Sequence, residues 1–474
     1  MRLLFALIIA IICFQITTPT TDIKLPDIPT APIRRIDLAN LSLHEQTKSI
    51  KNHIATGKPV IFQHSSISKW PALNKWKSTE YLSQAFNHHP LAVKVANHPV
   101  FTLFALDAKR GDETVLQGGT EDENRKYVFR DMSVNELFNK KNDNEYRYYA
   151  GETPSAMQND VHLKELIVDN VNNEMSRSIL WMGSKGTTAG THYDRSYNMF
   201  AQIVGRKSFY IYPPDHWKHL YLHPSFSGSR RQCRYTFPLT SDGSSIIKGN
   251  GYENDNNNGN ANDNNNDNTT CTTTKNRKTA MHGVLNSGEL LYVPPFYFHT
   301  VVSLSLQTVS YSVLSPSTDE FNYASALYAK VDFAKLGNVG SRKHRLGVKL
   351  YLDQILLSID RKQAIRDLYV SRHSKIGGED DLLMDEVDPF YCKFKSKIER
   401  IKIERKLGKK KLKKAIRSVS KVFTIDIDDQ GIRDILLHDL IEELLVFATS
   451  TVKNEDGRRV ARILKRCWKN ALHL

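Results

Sequence analysis

Apolar and polar positions follow three different patterns along the 474-residue chain. Residues 27 to about 120 mix short elements, with a predicted strand at 58–62 and a predicted amphipathic helix at 75–86. Between residues 146 and 314, short alternating apolar segments are separated by Gly, Pro or Asn, which is typical of a β-sandwich or barrel. The clearest of these predicted strands are 178–182, 198–204, 207–212, 289–293 and 307–313. After residue 316 the apolar residues recur at spacings of three and four, which predicts helices.

These patterns divide the chain into four predicted parts. They are an N-terminal segment at 1–22, an α/β flank at 27–130, a β-rich domain at 131–316 and a basic helical domain at 317–474. Residues 241–278, which we call the Asn-rich segment, consist mainly of Asn, Asp, Gly and Thr. Because such a composition cannot bury a core, we expect a disordered loop inserted between two strands.

The N-terminal segment has the features of a secretion signal. Arg2 precedes an uninterrupted apolar run at 3–12, which is shorter than the roughly 20 residues that a membrane-spanning helix needs. No clean cleavage site follows, so an uncleaved N-terminal membrane anchor is the alternative to a removed signal peptide. In either case we expect the chain in the secretory pathway, in the lumen of the endoplasmic reticulum or Golgi or outside the cell.

The cysteines are compatible with an oxidising compartment. Beyond the N-terminal segment the chain contains Cys233, Cys271, Cys392 and Cys467. The first two flank the Asn-rich segment and the last two lie in the helical domain. We therefore expect two local disulfides, Cys233–Cys271 and Cys392–Cys467.

Positive charge is concentrated in the helical domain. The formal net charge of the chain is +15, and residues 393–421 hold 14 basic residues against two acidic ones. Such a stretch is most often a solvated helix face, and its functional alternative is contact with an acidic partner or a polyanion. Nucleic acid is not the favoured partner, because Trp181, Phe209, Tyr210 and Tyr212 fit core and cleft lining better than a base-stacking platform.

Candidate metal ligands stand on two of the predicted strands. His192 and Asp194 are two positions apart, so on a strand they face the same side, and His299 opens a later strand. Two imidazoles and one carboxylate are the ligand set that holds ferrous iron with positions left open. A His-x-Asp pair alone is more often a surface pair. A weaker zinc candidate is formed by His216, His219 and His223, which lack a carboxylate or cysteine partner at a suitable spacing.

The surrounding sequence favours the metal site. Lys207 lies on an otherwise apolar and aromatic strand, where its ammonium must find an anion or face water. Residues 181–214 (WMGSKGTTAGTHYDRSYNMFAQIVGRKSFYIYPP) and 287–299 (SGELLYVPPFYFH) resemble the JmjC, cupin-like family of iron- and 2-oxoglutarate-dependent oxygenases. They resemble in particular the subgroup that includes the asparaginyl hydroxylase of hypoxia-inducible factor. The resemblance extends from about residue 33 to residue 316, without the Asn-rich segment.

The resemblance implies a double-stranded β-helix, the jelly-roll or cupin core, with an N-terminal α/β region and a C-terminal helical domain. It implies iron(II) bound by His192, Asp194 and His299, with 2-oxoglutarate and O2 as cosubstrates. The implied cosubstrate contacts are Lys207, on the distal carboxylate, with Asn198 and Tyr148. Tyr149 is the alternative to Tyr148. Ala189 departs from the family, which commonly has Ser or Thr three residues before the first histidine to help hold the cosubstrate carboxylate.

The predicted function is an iron(II)/2-oxoglutarate-dependent dioxygenase that hydroxylates a protein side chain in the secretory pathway. One alternative is a catalytically silent scaffold that keeps the fold and acts through the basic helical domain. The other is a lysine demethylase. By analogy with similar enzymes, the C-terminal helices could also form a homodimer.

Overall fold

The computed structural model describes residues 30–101, 127–139, 145–168, 175–227, 229–233, 280–327, 331–374, 393–424, 429–449 and 457–472. The strands in chain order are β1 (Thr30–Pro32), β2 (Arg34–Asp37), β3 (Val60–Gln63), β4 (Leu91–Ala96), β5 (Val100–Phe101), β6 (Val128–Met132), β7 (Tyr146–Gly151), β8 (Arg177–Ser184), β9 (Thr188–Tyr193), β10 (Tyr197–Val204), β11 (Lys207–Tyr212), β12 (Ala280–Leu285), β13 (Leu290–Val293), β14 (Phe298–Ser303) and β15 (Gln307–Ser315).

The α-helices are α1 (Leu43–Ile54), α2 (Ala72–Lys75), α3 (Thr79–Ala85), α4 (Val134–Phe138), α5 (Thr318–Leu327), α6 (Arg342–Ser358), α7 (Ala364–Leu368), α8 (Lys397–Leu407), α9 (Lys409–Thr424), α10 (Gln430–Thr449), α11 (Gly457–Cys467) and α12 (Lys469–Leu472). A π-helical turn, Tyr369–His373, continues α7, and short 3-10 helices occupy Ser66–Lys69, Ser155–Asp160, Leu163–Leu166, Pro214–His219 and Phe333–Leu336.

The strands form two sheets that face each other. One has six strands in the order β1-β12-β11-β14-β9-β5, and the other has nine in the order β2-β3-β13-β10-β15-β8-β7-β4-β6. From β8 to β15 the chain passes repeatedly between the sheets, and only β11 and β12 are successive neighbours in one sheet. This is the jelly-roll arrangement, so the predicted β core is confirmed, with helices before and after it.

Alternation along the strands sends every second side chain into the space between the sheets. Phe200 on β10 and Phe209 on β11 meet there edge to face, with ring centroids 5.1 Å apart. The opposite faces are covered as well. The N-terminal helices pack on the nine-stranded sheet through Trp70 and Trp76, and the C-terminal helices pack beside Tyr212 of the six-stranded sheet. Both faces of the central strands are therefore buried, and no residue of β9 is exposed.

Two local features differ from expectation or lie outside the described residues. The helix predicted at 75–86 is divided, because Ser78 caps a new helix by accepting a hydrogen bond from the Tyr81 backbone N–H. The N-terminal segment and the Asn-rich segment lie outside the described residues. None of the described helices combines the length and the apolar character needed to cross a membrane.

The predicted disulfides fall partly on described residues. Cys467 is disulfide-bonded, whereas Cys233 is a buried thiol. Cys271 and Cys392 lie outside the described residues. The expected Cys233–Cys271 bridge is therefore absent from this structure.

Candidate metal and cosubstrate site

Two neighbouring strands bring the predicted metal ligands together. β14 pairs with β9 in a register that sets His299 directly opposite His192, and their ring centroids are 4.2 Å apart. Asp194 follows the end of β9, and its Oδ2 lies 3.8 Å from Nε2 of His299. One ligand atom from each of the three residues lies within 4.8 Å of the others. Among the residues that the structure describes, no other group of three His, Cys, Asp or Glu side chains is close enough to share one ion.

Backbone carbonyls orient both imidazoles. Nδ1 of His192 is 2.7 Å from the Gly190 carbonyl oxygen, and Nδ1 of His299 is 3.0 Å from that of Tyr297. Since a carbonyl oxygen only accepts, each Nδ1 carries the proton and each Nε2 keeps its lone pair. Metal-binding histidines are commonly oriented by this kind of contact.

The protonation states also suit a cation. Burial, together with the nearby His299, lowers the pKa of His192 to about 3, so this imidazole is neutral at physiological pH. Burial favours the protonated form of Asp194, but electrostatic interaction with the neighbouring His192, His299 and Arg231 outweighs burial and lowers the pKa of the carboxyl. His192 is therefore a neutral imidazole and Asp194 a carboxylate, and these are ligand states that a divalent metal requires.

Lys207 lies between the sheets without a counter-charge. Its side chain is 1% exposed and makes no hydrogen bond or ion pair within the described part of the chain. The ammonium instead lies 5.3 Å from the ring centroid of Phe200 and 5.9 Å from that of Tyr148. Burial lowers the pKa of Lys207 to about 7. An anionic group bound beside it would remove this penalty.

Tyr148, rather than its neighbour Tyr149, faces this interior. Tyr148 stacks on Trp181 with ring centroids 5.9 Å apart and an interplanar angle of 18°. Tyr149 points the other way and contacts Phe86 of the N-terminal layer. Trp181 is held in turn by a 2.7 Å hydrogen bond from its Nε1 to the Ser312 hydroxyl.

The remaining predicted contact is Asn198, on β10. Its side chain is buried, and its Oδ1 has no hydrogen-bond partner among the described residues. At the position where the family commonly has Ser or Thr, Ala189 packs in the core between the sheets. The hydroxyls of the adjacent threonines are already engaged, Thr188 with the Gly186 carbonyl and Thr191 with Thr300. Neither therefore replaces the missing hydroxyl without giving up a hydrogen bond.

A network of buried ion pairs and hydrogen bonds connects the end of β9 to the C-terminal helices. Asp439 on α10 accepts hydrogen bonds from the Tyr193 hydroxyl at 2.9 Å and from Arg195 at 2.6 Å. These two residues flank Asp194 in the sequence. Arg372 donates to Asp439 at 2.9 Å and to Glu442 at 2.8 Å, and it is fully enclosed. The helical domain thus contributes directly to the position of the segment that carries Asp194.

Sequence reasoning missed this network. Its one visible signal is the presence of Asp439 and Glu442 within the long apolar helix α10, where an acidic residue needs a buried partner. Nothing in the local sequence identifies that partner, because Tyr193 lies 246 positions away from Asp439.

Comparisons with known proteins agree with this geometry. The model of the cupin-like domain family matches residues 46–323, which is more than half of the chain. "JmjC domain-containing protein D" of Dictyostelium discoideum is 23% identical over 286 residues, covering 53% of this chain and 50% of that protein.

One plant protein and one insect protein show similar levels of identity to this chain. "Lysine-specific demethylase JMJ30" of Arabidopsis thaliana is 23% identical over 260 residues, covering 54% of this chain and 50% of that protein. "Jumonji C domain-containing protein 5" of Drosophila melanogaster is 25% identical over 190 residues, covering 39% of this chain and 42% of that protein. The chain thus spans about half the length of the curated relatives it matches first.

Proposed function

The chain belongs to the cupin-like domain family, and we propose that it is an iron(II)- and 2-oxoglutarate-dependent dioxygenase that hydroxylates a protein side chain. JmjC proteins of this family are typically iron- and 2-oxoglutarate-dependent oxygenases. The observation that carries the proposal is the joint presence of a converging His-Asp-His group and a buried lysine without an anion in one interior.

The donor set supports ferrous iron at His192, Asp194 and His299. Two imidazole nitrogens and one carboxylate oxygen, with the other positions open, form the facial triad of non-heme iron oxygenases. The carbonyl contacts of both Nδ1 atoms leave only the Nε2 atoms for a metal. Cysteine-rich and all-oxygen ligand sets, which suit structural zinc and calcium, are not what these residues offer.

Two polar side chains between the sheets support a small dicarboxylate as the cosubstrate. Lys207 would pair with the distal carboxylate of 2-oxoglutarate, with Tyr148 and Asn198 as further contacts. Lys207 lacks a counter-charge and Asn198 Oδ1 lacks a hydrogen-bond partner within the described residues, so both side chains can still form a polar contact with a ligand. The ring centroids of Phe200 and Tyr148 lie 5.3 and 5.9 Å from the Lys207 ammonium, and Trp181 stacks on Tyr148.

The chemistry supplied by bound iron and 2-oxoglutarate is the insertion of one oxygen atom of O2 into a C–H bond, with succinate and carbon dioxide as coproducts. The protein's own contribution is to hold the ligands and to position the substrate. The backbone carbonyls of Gly190 and Tyr297 orient the His192 and His299 rings so that both Nε2 atoms would be available to the metal. Lys207 fixes one end of the cosubstrate, and the closely packed interior orients it.

A protein side chain is proposed as substrate because the sequence resembles the asparaginyl hydroxylase subgroup. Lysine demethylation is the second candidate, favoured by the printed name of the Arabidopsis relative. Both reactions begin with oxidation of a C–H bond. They differ in product, since hydroxylation leaves a stable alcohol, whereas demethylation releases the oxidised methyl group as formaldehyde. Product mass and formaldehyde release therefore distinguish them.

The test is succinate formation by the purified chain, loaded anaerobically with ferrous iron and then given 2-oxoglutarate and O2. We expect iron-dependent succinate that is lost in His192→Ala and in Asp194→Ala. His282→Ala is the matched control, because His282 lies on β12 of the same sheet and hydrogen-bonds Ser208 instead. Undiminished turnover in both triad variants would refute the assignment. Absence of both turnover and 2-oxoglutarate binding would favour the silent scaffold.

The basic segment supports a second, separate proposal, an acidic partner or polyanion. α9 buries its apolar side, including Leu412, Ile416 and Val419. Its other side exposes seven basic residues, Lys409, Lys410, Lys411, Lys413, Lys414, Arg417 and Lys421. Binding to heparin should weaken steeply as salt rises, and a flat salt dependence would leave only a solvated face. Secretory placement and a homodimer through the C-terminal helices stay predictions.

A further inference from the structure

A cavity of about 890 Å³ lies on the outer face of the nine-stranded sheet, on the opposite side of that sheet from the metal ligands. Its floor includes Tyr197, Met199 and Tyr292, whose side chains alternate with the inward-facing Asn198, Phe200 and Leu291. Helix α1 forms one wall, and none of the residues of this helix is buried. The volume falls within the range of small-ligand sites.

One polar group of the floor has no partner. The Tyr292 side chain is fully buried, yet its hydroxyl makes no hydrogen bond within the described residues. A buried hydroxyl without a partner is costly, and native structures seldom keep one without a ligand or water to satisfy it. Tyr292 thus offers a donor and an acceptor to whatever occupies the cavity.

Two partly buried side chains of the cavity lining are carboxylates, whereas its basic residues are exposed. Asp319, near the start of α5, lines it and is partly buried, and it has no hydrogen bond or ion pair among the residues described. Asp429 lines it as well and caps α10 by accepting from the Gly431 N–H at 2.8 Å. Lys51 and Lys164, the basic residues of the lining, are both exposed to solvent.

Aromatic rings complete the surroundings. Tyr197 and Tyr292 stack with ring centroids 6.4 Å apart and an interplanar angle of 21°. Tyr297, at the turn before β14, presents a third ring to the same cavity and is 5% exposed. Aromatic faces beside a carboxylate attract weakly hydrated organic cations, quaternary ammonium groups above all.

We propose that this cavity binds a quaternary ammonium group, with Asp319 as its counter-charge, the three tyrosine rings around it and the Tyr292 hydroxyl as a polar contact. An anion would meet two carboxylates there. A purely apolar ligand would leave Asp319 without a counter-charge and would offer the Tyr292 hydroxyl oxygen no ion–dipole contact. The group could belong to a small molecule or to the end of a polypeptide side chain, since the chemistry of recognition is the same.

This site is independent of the proposed oxygenase activity, so binding is measured on the full chain without added iron or 2-oxoglutarate. Calorimetry with choline is compared with 3,3-dimethylbutan-1-ol, which has the same shape and no charge. We expect saturable choline binding at one site and binding of the neutral compound at least about tenfold weaker, because only the cation gains the charge-assisted contact.

Two substitutions locate the site. Asp319→Asn should weaken choline binding by at least about tenfold, and Tyr292→Phe should weaken it several-fold. Asp332→Asn is the matched control, because Asp332 is exposed and pairs with Lys335 away from the cavity, and it should leave the affinity unchanged. Tyr292→Phe removes a hydroxyl without a partner and so keeps the test valid even if Asp319→Asn fails to fold.

Several results would overturn the proposal. They are the absence of saturable choline binding, equal affinity for the neutral compound, or choline affinity that neither Asp319→Asn nor Tyr292→Phe changes. A glycine-flanked peptide with one trimethyl-lysine separates the two sources of the cation. Displacement of choline by the peptide assigns the site to a polypeptide side chain, and choline binding that the peptide does not displace assigns it to a small molecule.

Discussion

Replacing Lys207 with Met should stabilise the unliganded protein and abolish cosubstrate binding. The ammonium lies between the two sheets, 1% exposed, with two aromatic rings near it and no anion among the described residues. Met has a similar length and no charge to desolvate. Both expectations have one cause, because under the proposed function the buried charge of Lys207 is compensated only when an anionic cosubstrate is bound.

The size of the effect follows from the pKa of Lys207. Burial lowers this pKa from 10.5 to about 7, and one unit corresponds to about 1.4 kcal/mol. Below pH 7 the lysine is charged in both the folded and the unfolded chain, so the folded state bears the whole penalty, on the order of 5 kcal/mol. Calculated the same way, the penalty at pH 9 is on the order of 2 kcal/mol, because the folded chain then holds the lysine neutral.

The sign of the pH dependence follows from proton counts. Between pH 7 and 10.5 the unfolded chain binds more protons at this residue than the folded chain, so the contribution of Lys207 to stability improves as pH rises. The advantage of Lys207→Met should therefore be greatest near pH 6. By pH 9 it should fall by roughly 3 kcal/mol.

Urea unfolding of the unliganded chain at pH 6, 7.5 and 9, at constant ionic strength, measures this difference. Lys77→Met, in which an exposed lysine is replaced, is the control and should show little change at any pH. A Lys207→Met advantage that does not vary with pH would contradict the buried, uncompensated charge. Undiminished 2-oxoglutarate binding in the same variant would contradict the proposed pairing of Lys207 with the distal carboxylate of 2-oxoglutarate.

Two further predictions concern the support of the site. Asp439→Asn removes the charged acceptor that Tyr193 and Arg195 share. We expect the unfolding free energy, measured by chemical denaturation, to fall by about 3–5 kcal/mol. We also expect weaker binding of a metal probe such as Co²⁺, measured by its absorbance. Unchanged Co²⁺ affinity in a folded variant would exclude a role in positioning Asp194. Gly205→Ala should lower the melting temperature, because Gly205 has φ +74° and an added Cβ would lie 2.4 Å from the Gln307 carbonyl oxygen. Gly57→Ala is the control, because Gly57 has a similar φ but no atom within 4 Å of the added Cβ, and it should lower the melting temperature less. Equal losses in the two glycine variants would contradict the steric argument.

Part of the site could be predicted because it depends on local geometry. His192 and Asp194 share a side through the two-residue period of a strand, and Lys207 stands out as a charge on an apolar strand. The choice between Tyr148 and Tyr149 could not be made locally. Both residues fit the strand, and only the stacking of Tyr148 on Trp181 shows which one faces the interior.

The division of the helix predicted at 75–86 has a similar origin. Its apolar spacing is compatible with one helix, but Ser78 forms a local cap that competes with a continuous turn. The state of Cys233 was beyond sequence reasoning too, since the proximity of two cysteines depends on the path of the chain between them. The Cys233 thiol, buried in the core beside the C-terminal helices, shows that flanking one segment does not make two cysteines partners.

The sequence by itself determined the alternating strands, the helical C-terminal third, the family and the residue types able to bind a metal, because these depend on short-range periodicity and on chemical identity. The tertiary structure decided which of those residues meet. The register of β14 against β9 sets His299 opposite His192, the fold sets Asp439 against Tyr193, and the packing of α1 on the outer sheet face forms the cavity at Tyr292. Contacts between residues 100 or more positions apart depend on how sheets and helices pack as a whole, which no local pattern specifies.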